Sequence, residues 1–297
     1  MRLVRALGLA LLLATTPGAS AEQAPFLWKV AGEKANHYLM GSIHLLPKDV
    51  YPLPAPLMDA YERAEVLVLE TDLKGVGARR AQRAMQRAGK AEGGLQSQIA
   101  PNLYADLQQQ LQDMNLKPKL CDKLTAWFCA LKVSIVAFQQ AGMKPSRGLD
   151  LYFFKRADGD DKPVFWLESA EFQLNLFAGM PQDLGEKFLR STVDELSHPE
   201  KKPADLIRYW REHDLQGMRS MVMDMRANYP KLHARLLADR NRAWIAPLKQ
   251  IFASERSHLV LVGAAHMLGP EGLIALLSDA GYRPLDLSDA NRARPER

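Results

Sequence analysis

The stretch "HYLMGSIHLLP", residues 37–47, sets out an apolar run, a glycine, two further residues and a histidine. The same order returns as "LVLVGAAHMLG", residues 259–269. A short apolar run closed by Gly reads as a buried strand, and a His three residues past that Gly lies beyond the strand's carboxyl end. Two other runs end on an acid instead. "EVLVLETDL" is apolar up to Glu70, and "KPVFWLES" is apolar up to Glu168. Both read as buried strands, the nearly all-apolar kind that a parallel sheet covers on two faces. In open α/β sheets the functional crevice lies outside the carboxyl ends of the strands. Four such strands side by side bring His44, His266, Glu70 and Glu168 to one end of the sheet. Gly41 and Gly263 are the backbone-turn positions, where the missing Cβ permits a sharp turn and a close neighbour.

Outward from these runs, "FLWKVAGEKANHYLMGSIH" reads as a β-hairpin turning through Gly32-Glu33-Lys34. A helix follows Pro56, with apolar spacing at Leu57, Ala60, Tyr61 and Ala64, and leads into the strand that ends at Glu70. This strand–helix–strand unit favours a parallel sheet. "VGARRAQRAMQRAGK", "PNLYADLQQQLQDMN", "KLTAWFCALKVSIVAFQQAG" and "SRGLDLYFFKRADG" have helical spacing with Pro and Gly between them. After the Glu168 strand, helices run to Phe252; Trp210, Met218, Met221, Met223 and Met225 are expected as core or lid. "GPEGLIALLSDAGY" is a helix opening at Pro270-Glu271 and capped at Gly281, and "RPLDL" is a short last strand. The expected fold is α/β: a central, mostly parallel or mixed sheet flanked by helices, with a helical insertion between the two halves.

The chain begins with Arg2 and Arg5, the apolar "ALGLALLLA" and the A-x-A site Ala19-Ser20-Ala21. That is a secretory signal peptide over 1–21, cleaved near Ala21, leaving residues 22–297 as one exported α/β domain in the periplasm or outside the cell. Glu22 rather than Cys stands directly after the cleavage site and no later run reaches spanning length, so no stable membrane anchor is expected. Cleavage takes Lys+Arg from 39 to 37 against 34 Asp+Glu, a mature net charge of about +3. The excess is mild and mixed with acids, with no aromatic-interleaved basic stripe, which argues against nucleic acid as a partner. Nothing in the sequence sets an oligomeric state. Cys121 and Cys129 either pair across a helix start or remain two thiols; on one continuous helix they would stand roughly 12 Å apart, too far to bridge.

Two His and one or two carboxylates with open positions suit a first-row metal. Such an ion would activate water and polarise a carbonyl, with a second carboxylate as general base. His37, His198, His213, His233 and His258 sit among polar or amphipathic neighbours and read as solvated or capping. Ser42 follows Gly41, but "GSIH" is not a nucleophile elbow, so Ser42 is expected to bond within the turn.

Taken together and in this order, "MGSIHLLP", "VLVLETDL", "RGLDLYFFKRA", "KPVFWLESAEFQLNLF", "LLADRNRAWI" and "LVLVGAAHMLGPEGLIALLSDAGY" resemble the TraB/GumN family. That family is similar to the Tiki Wnt-cleaving metalloproteases and, more distantly, to erythromycin-esterase-like and ChaN-like proteins. The resemblance spans nearly the whole mature chain. It implies that the two G-x-x-H motifs are Gly41–His44 and Gly263–His266, and that the family's acidic positions are Glu70, Glu168 and Glu171, with Gln173 beside the last. It further implies Arg147 to Asp150 as the "RGLD" stretch and Arg240-Asn241 as the late "RN" pair. Two departures are visible: Ala126 precedes Trp127 where the family often has Pro, and Gly41 stands where the esterase-like relatives carry Glu. An esterase of that type is therefore not expected.

The resulting expectation is a secreted metal-dependent hydrolase, acting on peptide bonds. His44, His266 and Glu70 would be ligands to zinc, manganese, cobalt or iron, and Glu70 and Glu168 the catalytic carboxylates. Arg147, Asp150, Gln173, Arg240 and Asn241 would bind substrate or support the site, Arg147 and Arg240 either on a substrate carboxylate or in salt bridges with Asp150 and Glu168. The substrate is a peptide or a small molecule, an ester among the latter. The alternative is a non-enzymatic periplasmic binding protein that sequesters a peptide signal or a haem-like ligand.

Overall fold

Runs rich in Val and Leu with no charge on either face suit strands that are covered on both sides, and three strands of the central sheet are buried in this way. The structure, a computed structural model, describes residues 26–73, 76–198 and 203–288; the expected signal peptide and its cleavage site lie outside them. The strands are β1 (Leu27–Ala31), β2 (Asn36–Ser42), β3 (Val66–Thr71), β4 (Val164–Glu168), β5 (His258–Gly263) and β6 (Leu285–Asp286). Their order across the sheet is β4-β3-β5-β2-β1-β6. β4, β3, β5 and β2 are parallel, while β1 runs antiparallel to both β2 and β6. The sheet is thus mixed, with helices around it, and the four strands that end in His or acid are contiguous and co-directional.

The crossover from β2 to β3 is α1 (Ala55–Arg63), which buries Leu57, Ala60 and Tyr61 and carries Pro in its first turn, where the missing N–H costs nothing. Between β3 and β4 come α2 (Val76–Ala88), α3 (Pro101–Asp113), α4 (Ala126–Gln140) and α5 (Leu149–Gly159). After β4 come α6 (Ala170–Ala178), α7 (Gln182–Ser197), α8 (Pro203–Arg211), α9 (Leu215–Asn228), α10 (Pro230–His233) and α11 (Asp239–Phe252). After β5 comes α12 (Leu273–Asp279), which begins past the Pro270-Glu271 pair, with Gly272 as its N-cap. Gly281 follows at φ +91°, as a glycine at a helix end should.

The helical side has its own apolar core. Leu103, Leu107 and Leu111 of α3 meet Ala130 and Val133 of α4 and Leu189 and Val193 of α7. Cys121 and Cys129 are joined there by a disulfide, their Cα atoms 5.4 Å apart. The bridge forms because α4 starts at Ala126, so Cys121 precedes the helix and can fold back on its first turn.

Three expectations are corrected. β4 is not a buried strand: it is an edge, with Phe165 57% and Trp166 48% exposed. An apolar run reports what its side chains are, whereas cover depends on where the chain goes next, and the chain leaves β4 without covering it. Three of the five histidines read as solvated or capping, His37, His233 and His258, are buried, His213 is intermediate with only 6% of its side chain exposed, and His198 is exposed. His37 and His258 lie on adjacent strands with rings 5.4 Å apart, and His37 also faces the Phe252 ring at 5.2 Å. Here a neutral imidazole packs as a small aromatic. His213 takes φ +53° between α8 and α9; its Nδ1 accepts from the N–H of Phe26 at 3.1 Å, and its Nε2 donates to Asp286 at 2.8 Å. Of the Trp/Met stripe, Trp210 and Met218 are core but Met221 is exposed.

Candidate active site

The parallel register fixes what meets at the strand ends. Gly41 pairs with Val262 and Ser42 with Gly263, so the two G-x-x-H turns leave the sheet side by side. They approach closely: a Cβ on Gly41 would stand 3.0 Å from Phe26 Cβ and 3.1 Å from Ala264 Cα. Backbone φ is not the reason for Gly41 or Gly263, neither of which is in the left-handed region. Thr71 of β3 pairs with Glu168 of β4 on the next two strands.

Each imidazole is pinned at Nδ1. His44 donates from Nδ1 to Asp150 Oδ2 at 2.8 Å, and Ser42 Oγ donates to Asp150 Oδ1 at 3.0 Å. Ser42 therefore bonds not within its turn but across to α5, where Asp150 lies in the first helical turn. Gly148 makes this possible, because any Cβ there would fall 2.1 Å from the His44 carbonyl oxygen. On the other side, Asn241 Nδ2 donates to the carbonyls of Glu271 (2.7 Å) and His266 (3.3 Å), which turns its Oδ1 toward His266 Nδ1 at 2.6 Å. Both rings thus carry a proton on Nδ1; His266 keeps a lone pair on Nε2, whereas His44, raised to about 9, carries a second proton there at pH 7. His44 stands at the rim, its side chain 60% exposed, whereas His266 is buried under the Trp244 ring at 4.6 Å.

Arg240 lies between the acids. Its Nη2 donates to Glu70 Oε2 at 2.6 Å and Glu168 Oε2 at 2.8 Å, and its Nε donates to Glu168 Oε1 at 2.9 Å. Its Nη1 donates to His266 Nε2 at 2.9 Å and to the Leu236 carbonyl at 3.1 Å. That carbonyl belongs to a π-helical turn, Ala234–Ala238, leading into α11; such turns recur at functional sites. Trp244 Nε1 completes Glu168 at 2.9 Å, and Gln173 Nε2 reaches Glu168 at 3.2 Å and Glu70 at 3.4 Å. Glu70 Oε1 accepts from the Gly263 N–H at 2.6 Å.

The protonation pattern follows. Burial works against ionising Glu70, but His266, Arg240, His44 and the Gly263 N–H bring its carboxyl down to about 2. The carboxylate of Asp150 raises His44 to about 9. Burial, and then the positive charges of Arg240 and His44, lower His266 to about 3 in spite of Glu70, so His266 is neutral at pH 7. A cavity of about 400 Å³ opens over this cluster, lined by His44, Glu70, Asp150 and Gln173 on its polar side and by Leu69, Leu73 and Leu151 on its apolar side.

The structure brings together His44, Glu70, Asp150, Glu168, Gln173, Arg240, Asn241 and His266. It does not bring in Arg147, which contributes only its main-chain carbonyl, as acceptor for the Tyr51 hydroxyl. Arg240 pairs with Glu168 and Glu70 rather than with Asp150. Two residues were missed. Trp244 lies one helical turn after Arg240, and that i, i+4 spacing was its only signal. Gly148 reads as an ordinary helix start unless its contact is known.

The TraB/PrgY/gumN family profile matches residues 26–284. The chain belongs to the TraB/PrgY/gumN family. Its relatives within and around this family include an uncharacterized protein YbaP of Shigella flexneri, 26% identical over 246 residues, covering 83% of this chain and 89% of the relative. The YbaP protein of Escherichia coli K12 is 25% identical over 240 residues, covering 81% and 87%. No solved structure matches the chain significantly. The family match spans every residue of the strand-end cluster.

The donor chemistry can be tested against a metal ion. An imidazole whose Nδ1–H is tied to an oxygen acceptor, leaving Nε2 free to ligate, is the arrangement second-shell partners impose on metal-binding His. Both His44 and His266 have the Nδ1 half of it; ligation through Nε2 would require His44 to release the second proton it holds below about 9. The acids are less available, since both oxygens of Glu168 and of Glu70 already accept hydrogen bonds, and Arg240 occupies the His266 lone pair. Among the described residues, no three His, Cys, Asp or Glu side chains stand close enough together to hold an ion as they are arranged. The donor types fit, with Arg240 as the competing cation.

Proposed function

We propose that this chain is a hydrolase working at the strand-end cavity, with peptide bonds as its substrate class. His44, His266 and Glu70 are the residues that would hold a divalent transition metal, which when bound lowers the pKa of a water and polarises a carbonyl. The observation that carries the reading is the matched pinning of two imidazoles, by Asp150 and by Asn241, around an ionised Glu70.

The chain's own residues have separate tasks in this reading. Asp150 and Asn241 orient the rings, so each is a positioning residue. Arg240 holds Glu70 and Glu168 in place within a buried setting and helps keep Glu70 ionised. Glu168, with Arg240 and Trp244 on its oxygens, anchors the guanidinium rather than serving as a free base. Leu69, Leu73 and Leu151 exclude water and receive an apolar side chain. The 3.2–3.4 Å bonds of Gln173 are long for N–H···O, which lets its amide turn to a substrate carbonyl. Export after cleavage near Ala21 places the reaction outside the cytoplasm. Among the described residues no helix is long and apolar enough to cross a membrane.

A second reading, ligand capture without turnover, draws on the saturation of Glu168 by Arg240, Trp244 and Gln173. The two are separated by the metal content of the purified, signal-free protein beside a His44→Ala, His266→Ala double variant. Stoichiometric metal in the first and none in the second supports the hydrolase. A folded protein that takes up no zinc, manganese, cobalt or iron even in excess leaves capture as the function.

A further inference from the structure

Among the described residues no strand pairs with the outer side of β4, the edge of the sheet beside this cavity. In the parallel ladder Leu67 donates to the Pro163 carbonyl at 2.9 Å, and Leu67 stands in register with Val164, Leu69 with Trp166 and Thr71 with Glu168. A parallel pairing of that register turns the N–H and C=O of Phe165 and Leu167 toward β3. Those of Val164, Trp166 and Glu168 point the other way, off the sheet, and no described backbone group bonds to them. An edge with alternating free donors and acceptors is a template for one more strand, and proteins normally blunt it with charge, Pro or cover. β4 has none of these along 164–167. It has Phe165 and Trp166, on opposite faces and both exposed.

These aromatics are not isolated. Among the described residues seven large apolar side chains are exposed, and four of them, Leu73, Phe165, Trp166 and Phe172, belong to the turn just after β3, to β4 and to the first turn of α6. Leu73 lines the cavity, as does Leu69, the residue in register with Trp166 and hence on its face of the sheet. The exposed apolar ground therefore continues from the β4 edge into the cavity. The edge itself ends at Glu168, whose carboxylate is bound by Arg240.

We propose that an extended polypeptide segment docks as a strand on the β4 edge. It bonds to the main chain of Val164, Trp166 and Glu168, lies between the Phe165 and Trp166 side chains, and passes into the cavity at His44 and Glu70. The proposal rests on the hydrolase reading for what happens in the cavity, but the docking does not depend on turnover. The occupant follows from the chemistry of the edge. Alternating N–H and C=O groups at strand spacing match another extended backbone, and the aromatics add apolar contact that favours bulky side chains. A second copy of this chain is a poor fit: five edge residues offer far less than the roughly 1,200 Å² of a stable interface. A transient substrate needs no such area.

The test is amide hydrogen exchange on the signal-free protein in EDTA, with and without saturating β-casein as the unfolded polypeptide. The expected result is that Trp166 and Glu168 amides slow by about tenfold or more when casein is present, while Phe165 and Leu167, already bonded to β3, do not change. Trp166→Pro removes an outward N–H and leaves the β3 ladder intact, a position where an edge strand accepts Pro. It should weaken casein binding about tenfold, and Trp166→Ala by a smaller factor, with the urea midpoint as the check on folding. Unchanged exchange at Trp166 and Glu168 under saturating casein overturns the proposal. So does slowing that is present without casein and grows with protein concentration, which would assign the edge to a second copy. Edge protection without cleavage, after any metal is restored, keeps the docking strand and removes the hydrolase; cleavage without edge protection does the reverse.

Discussion

Arg240→Met is the perturbation that most directly interrogates the buried cluster. It takes away the cation shared by Glu70 and Glu168, which are 6% and 9% exposed, and leaves both carboxylates without it in a site that water barely reaches. Two routes give the magnitude. A carboxyl held at about 2 instead of its ordinary 4.5 contributes up to about 3 kcal/mol, since each pKa unit is worth about 1.4 kcal/mol. Removing one partner of a buried ion pair generally costs roughly 3–5 kcal/mol. The first figure is a ceiling, because His266, His44 and the Gly263 N–H share the shift with Arg240; with the lower end of the second, the variant should lose about 3 kcal/mol at pH 7. The pH dependence has a definite sign. Because Glu70 is depressed in the folded protein, its contribution is complete above pH 4.5 and is lost as pH falls toward 2. The gap between wild type and variant should therefore narrow at pH 3. Urea unfolding of metal-free protein at pH 7 and pH 3 measures both. Adding Glu70→Gln and Glu168→Gln to Arg240→Met should recover much of the loss, because neutral amides need no cation. A gap below about 1 kcal/mol at pH 7, or one that stays constant to pH 3, would refute the reasoning.

The remaining predictions concern the packing behind the site. His37 is fully buried with neither ring nitrogen hydrogen-bonded, and burial, with His258 beside it, lowers it to about 4. The unfolded chain takes up that proton near 6.5, so stability should fall as pH drops from 6.5 to 4, by at most about 3 kcal/mol. His37→Leu should flatten this part of the stability profile, and a variant whose profile runs parallel to wild type would dismiss the cause. Gly148→Ala places a methyl 2.1 Å from the His44 carbonyl oxygen, so the His44 turn and α5 must separate. A loss of about 1–3 kcal/mol is expected, and the His44 imidazole resonance should shift as its bond to Asp150 loosens; an unaltered spectrum would contradict the wedge.

How far the sequence carried can be seen residue by residue. The apolar runs before Gly41, Glu70, Glu168 and Gly263 determined by themselves that these segments are strands. The helix between Gly41 and Glu70 determined that two of those strands are co-directional, because period and punctuation are local properties. The recurrence of G-x-x-H marked His44 and His266 for the same reason, and the order of motifs along the chain was enough for the family. Partners were different. That Asp150 belongs to His44, Asn241 to His266, and Arg240 to both acids depends on contacts between residues from 25 to 170 positions apart, which no local pattern encodes. Cover was different too. Phe165 and Trp166 are as apolar as any core pair, and His37 has polar neighbours in sequence. Yet the first two are exposed and the third is buried, because burial is set by which element the chain lays over a strand. The sequence chose the elements and the reactive residue types; the tertiary structure decided which of them meet and which face stays open.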